Sequence, residues 1–132
     1  MSFVIDSDVC SAFLRGNNSV YNRFMQHSGG LYVSAVTLAE LYTWVHLKPH
    51  SPKRPAMLRD LLTEVNITPV DEAVAERFGI VRADLLARGK VVATADMLIA
   101  STALLFDYTD VTHNTRHFAM VPGLRLEDWL TP

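Results

Sequence analysis

Three acids in this chain stand where carboxylates do chemistry rather than hold water: Asp6, Glu40 and Asp96. Asp6 follows the apolar run Phe3-Val4-Ile5, whose strand character predicts a buried strand that delivers the acid at its carboxyl end. An ionised carboxylate there is costly unless something positive lies opposite. Glu40 closes Thr37-Leu38-Ala39-Glu40, a T-x-x-E sequence of capping-box form after a candidate strand at residues 31–36. Taken singly, it reads equally well as a capping acid or a site residue. Asp96 falls in the first turn of the almost wholly apolar stretch 95–105, where it could simply complement a helix dipole. In a parallel sheet, however, all such strand-to-helix junctions lie on one edge, the edge where ligands bind. Hard oxygen donors grouped there select magnesium or manganese over zinc. The corresponding chemistry is that of a metal ion that lowers the pKa of a bound water.

The elements that must position these acids alternate along the chain. Asp8 is expected mainly to cap a short helix carrying Val9, Ala12 and Phe13 and closing near Gly16. A second helical segment with Val20 and Phe24 follows Asn17. The helix after Thr37 carries Leu38, Leu41, Tyr42, Trp44 and Val45, and residues 48–55 form a polar connection punctuated by prolines. Asp71 is expected to cap a helix that stops at Gly89. Residues 66–70 and 108–112 are β-prone, and residues 123–129 finish as a short edge strand and turn. This alternation predicts an α/β fold in three α/β/α layers, with a central, mostly parallel sheet flanked by helices.

The chain has 132 residues, which fits one domain over 1–132. Charged residues are 20% and apolar residues 49%, a balance that excludes a disordered chain. No run is long and apolar enough to span a membrane and no leader pattern opens the chain, so a cytoplasmic protein is expected. The single cysteine, Cys10, suits a reducing compartment and is expected as a small buried core residue. A net charge of −2 gives no global pull toward nucleic acid, so local cations must attract a polyanion.

Four motifs, spread over nearly the whole chain, resemble those of the PIN-domain ribonucleases, and within them the VapC toxins of bacterial and archaeal toxin–antitoxin pairs. Val4-Ile-Asp-Ser-Asp-Val9 is similar to the opening D-T-N motif, with Ser7 and Asp8 in place of threonine and asparagine. Ser34-Ala-Val-Thr-Leu-Ala-Glu-Leu41 is similar to S-x-x-T-x-A-E-L. Gly89-Lys-Val-Val-Ala-Thr-Ala-Asp-Met-Leu-Ile-Ala100 and the closing segment from Val111-Thr-His-Asn114 to Asp128-Trp129 complete the set. The resemblance implies a PIN-like fold and magnesium-dependent endonucleolytic cleavage of structured RNA such as tRNA or rRNA, with manganese as a substitute. It carries Asp6, Glu40 and Asp96 over as catalytic and metal-holding acids, and Ser7, Asp8, Thr112 and Asn114 as residues that support them or position water and phosphate. A cognate antitoxin and a homodimer are the implied protein partners.

Two departures from the family pattern stand out. Many PIN domains supply a fourth acid after the last core strand, where this chain has Asn114 and His117; that motivates the alternative of a catalytically weakened PIN-like binding module. The other is Asp110, where the family has an aliphatic strand residue; it is expected to reach solvent or a neighbouring Arg or Lys. His113 and His117 have a ligand-like interval, but no cysteine or third histidine is near, so phosphate contact or solvation is expected. Arg15 and Arg116 could flank the site, and Lys53 and Arg54 belong to the densest basic stretch, where they could follow an RNA backbone. Trp44 widens the apolar face of its helix beyond one stripe and is expected at a protein contact.

Overall fold

The strand β1, Phe3–Ile5, is paired on both sides and has no solvent-facing residue. The computed structural model describes residues 1–131. In it, β1 precedes helices α1 (Ser7–Leu14) and α2 (Asn18–Gln26), and then β2 (Leu31–Ser34), α3 (Ala35–His46), α4 (Lys53–Glu64) and β3 (Asn66–Thr68) follow. The second half runs through α5 (Glu72–Ala87), α6 (Thr94–Phe106), β4 (Thr109–Val111), α7 (Thr115–Phe118) and β5 (Leu126–Glu127). The strands form one sheet in the order β3-β2-β1-β4-β5, and every pairing is parallel. The carboxyl ends of all five strands therefore share one edge.

Alternation along β1 divides the core between the two faces. Phe3 and Ile5 pack with Val9, Phe24, Leu41, Leu61 and Trp129, covered by α1 to α4. Val4 points the other way, into a cluster with Leu85, Met97, Ile99 and Ala100 from α5 and α6. Those are the three α/β/α layers. Cys10 is buried in the first cluster, with its thiol directed at the Ile5 carbonyl at 3.9 Å. No helix among the described residues is long and apolar enough to cross a membrane.

Local chemistry explains most helix ends, and corrects three expectations. Asp6 itself, not Asp8, caps α1, accepting from the Ser7 N–H at 2.8 Å; Asp8 lies in the first turn. The chain leaves β2 at Ser34, whose hydroxyl accepts from the Val36 N–H at 3.1 Å and starts α3 three residues earlier than the T-x-x-E sequence suggests. Thr37 is then buried inside the helix, its hydroxyl without a partner among the described residues, and Glu40 occupies the second turn. It is no capping-box acid. Residues 53 and 54 are the opening of α4 rather than connection, and Pro55 sits in its first turn, where the missing N–H costs nothing. Asp71 caps α5 as expected, Asn17 caps α2, and Gly89 takes the left-handed conformation (φ +70°) that ends α5.

Candidate active site

β1 and β4 end side by side, and the register Ile5 to Val111 brings Asp6 level with Thr112. The Thr112 hydroxyl donates to Asp6 Oδ2 at 2.9 Å and accepts from the Asn114 N–H at 3.0 Å, so one side chain holds both the acid and the loop beyond β4. Asp6 is 6% exposed. Burial pushes its carboxyl up to about 6, with Asp8 and Asp96 adding to the rise and the bonds from Ser7 and Thr112 opposing it. Asp8 accepts from the Val9 N–H at 2.8 Å and the His113 N–H at 3.0 Å, tying α1 to the same loop. Desolvation raises its carboxyl as well. Thr112→Val removes a bond to a buried acid and orphans the Asn114 N–H. We expect a stability loss of about 1–3 kcal/mol, read by urea denaturation.

Glu40 and Asp96 arrive from two other elements. Glu40 is raised by partial burial and then by Asp96 and Asp8, while the Ser7 hydroxyl beside it acts in the opposite direction. Asp96 lies in the first turn of α6, whose N-terminus has no side-chain cap, so it also complements the helix dipole. His117 Nδ1 stands 3.6 Å from Asp96 Oδ2 and 2.9 Å from Asn114 Nδ2. A cleft of about 620 Å³ opens here, lined by Asp8, His113, Asn114, Thr115, Arg116 and His117. The charges of Asp8 and Asp96 thus reach both Asp6 and Glu40 at one sheet edge.

This donor set fits a hard divalent cation. Its oxygens are carboxylate, and each acid whose shift is described is held above its usual range by burial and by neighbouring acids, a state that a cation relieves. Among the described residues no three acidic, imidazole or thiol groups form a closed ligating set, so joint ligation requires side-chain rotation. Zinc chemistry fits poorly. His113 Nδ1 is engaged by Asp128 at 3.0 Å, His117 by Asn114, and Cys10 is buried in the core.

Of the other expected site residues, Ser7, Asp8, Thr112, Asn114 and Arg116 all gather at this edge. Arg15 does not. It is the C-cap of α1 and lines a separate small cavity with Ser11, Leu14 and Trp44. Arg54 donates to the Trp44 carbonyl, and its guanidinium lies 4.7 Å from the centre of the Trp44 ring. It is a structural clamp on α3, while Lys53 beside it is exposed. Trp44 is half-buried against the first core cluster rather than free on the surface.

Asp110 overturns its expectation outright. It is fully buried, and neither carboxyl oxygen has a hydrogen-bond partner among the described residues. The sequence did hold a signal, since an acid inside a parallel strand that pairs on both sides has no solvent face to turn to. The pairing of His113 with Asp128 had no sequence signal beyond the closing motif.

Residues 3–124 match the PIN domain family. The chain is 32% identical over 130 residues to the tRNA(fMet)-specific endonuclease VapC of Shigella flexneri, covering 98% of each chain. It is 28% identical over 131 residues to ribonuclease VapC2 of Haemophilus influenzae, covering 98% of this chain and 99% of the relative. Among solved structures, VapBC2 from Rickettsia felis bound to a promoter DNA fragment superposes with a TM-score of 0.90 at 26% identity, over 98% of this chain and 99% of that one. DNA-bound VapBC from Salmonella typhimurium gives 0.86 at 26% identity, over 98% of both chains. The chain belongs to the PIN domain family, and within it to the VapC ribonucleases.

Proposed function

We propose that residues 1–132 work as one domain, a magnesium-dependent endoribonuclease that is the toxin of a toxin–antitoxin pair and cuts structured RNA such as tRNA or rRNA. The observation that carries this reading is the meeting of Asp6, Asp8, Glu40 and Asp96 at one sheet edge, with Asp6, Asp8 and Glu40 raised by burial and by neighbouring acids, a state that a cation relieves. Asp6, Asp96 and Glu40 would hold the cation. Bound there, it would supply Lewis-acid chemistry, easing deprotonation of water and offsetting charge on the phosphoryl oxygens.

The chain's own residues do the positioning. Ser7 and Thr112 fix the two oxygens of Asp6 and hold the acid at the end of β1. Asn114, held by Thr112 and beside His117, is suited to orient water or phosphate at the mouth. Arg116 on the cleft wall supplies a phosphate contact. Without a cation the acids repel a polyanion, so productive RNA binding needs both metal and basic residues. The VapBC likenesses motivate a cognate antitoxin partner and the family a homodimer, and the single buried thiol suits a cytoplasmic setting.

Incubation of the protein with tRNA and with rRNA, with magnesium and then with excess EDTA, tests this reading. Metal-dependent cleavage is expected. Binding without cleavage would favour the alternative, a weakened PIN-like module, whose motive is Asn114 and His117 at the positions of the missing loop acid. A salt titration separates the basic residues. Arg116→Ala and Lys53→Ala should each lower the slope of log affinity against log salt by about one. Arg54→Ala should leave the slope unchanged and lower stability, because its guanidinium is spent on Trp44.

A further inference from the structure

We propose that Asp110 is the inner acid of the cation site, a positioning carboxyl behind Asp6 that takes the part of the absent loop acid. This rests on the metal-site reading above. On β4, Asp110 and Thr112 share one face of the sheet, and across the pairing Asp110 lies beside Val4, which shares its face with Asp6. Two residues of strand set Asp110 roughly 7 Å behind the Asp6–Thr112 hydrogen bond. The same face is covered by α6, which carries Asp96 in its first turn. Asp110 is therefore enclosed between the sheet and the helix that bring the other two acids together.

Among the described residues nothing offsets its burial. Val4 and Leu126, its register partners on either side, are apolar. Both of its oxygens lack a hydrogen-bond partner among the described residues. The charges that reach it are Asp6, Asp8 and Asp96, all of the same sign, and with desolvation they push its carboxyl well above the ordinary range. An acid in apolar surroundings that feels only other acids is relieved either by a proton or by a cation, or the water around one, on the side where those acids converge, and a bound cation displaces the proton.

Manganese titration calorimetry on the parent, Asp110→Asn and Asp110→Val, together with melting curves without metal, tests the proposal. Both variants are expected to bind manganese about 10-fold or more weakly than the parent. Asp110→Val should also melt as high as the parent or higher without metal, a combination that a merely structural residue would not give. Asp110→Asn keeps the shape of the side chain should the valine variant fail to fold. Parent-like manganese affinity in either folded variant would overturn the role of Asp110 and leave the three-acid site standing. No manganese binding by the parent would overturn both.

Discussion

Asp6→Asn and Asp96→Asn are each expected to lower RNA cleavage by about 100-fold or more, while the metal-free Asp6→Asn protein stays as stable as the parent or gains stability. The two halves of this result have one cause. Asp6 is 6% exposed and repelled by Asp8 and Asp96, so its charge destabilises the metal-free fold. Asparagine keeps the shape and still serves as an N-cap for α1, so the substitution removes repulsion without losing the cap. The same change deletes an oxygen anion from the cation site, and the rise in melting temperature with added magnesium shrinks accordingly. Glu40→Gln belongs with them. Because Glu40 lies in the second turn of α3 and Ser34 does the capping, losing its charge should carry no capping cost. Thermal melts with and without magnesium, paired with a cleavage assay, read all three. Variants that melt below the metal-free parent and keep its full magnesium response would make these acids structural.

Lowering the pH from 7 to 5 stabilises the metal-free protein, the reverse of ordinary acid sensitivity. The carboxyl of Asp6 titrates at about 6 in the fold against 3.8 in a free chain, so between those values the folded state binds the extra proton. Stability therefore rises as pH falls through 6, and the gain is complete below the unfolded value. At neutral pH the ionised Asp6 costs about 3 kcal/mol on this account. Asp8, Glu40 and Asp110 are shifted in the same direction and steepen the trend. Asp128, held below its ordinary range by Thr131, Leu130 and His113, works the other way at more acidic pH. Saturating magnesium competes with protons for the same oxygens and should flatten the dependence. Urea denaturation at pH 7, 6 and 5, with and without magnesium, measures it; a metal-free protein that loses stability over that range would contradict the shifts.

The placement of Asp6 and Asp96 at strand and helix ends was legible because local sequence states both facts that matter, an apolar run that must be buried and an acid at its end. The parallel sheet followed from the alternation of elements, and with it the shared edge. Helix starts were less legible. Ser34 and Thr37 are both competent caps, and only the point where β2 stops pairing decides between them. Asp110 was misread because a strand acid was expected to reach solvent or a neighbouring Arg or Lys, and a central parallel strand has no such face. Arg54 and Trp44 meet across the turn between α3 and α4, a contact that no helical periodicity encodes. Of the basic run Arg54 is engaged by Trp44, while Lys53 stays exposed.

Anomalous diffraction from manganese-soaked crystals tests the shared cation site most directly. A peak is expected roughly 2.1 Å from carboxylate oxygens of both Asp6 and Asp96, with Glu40 on the same ion directly or through one water. A soaked crystal with no peak at that edge, or with manganese held by other residues, would contradict the account at its centre.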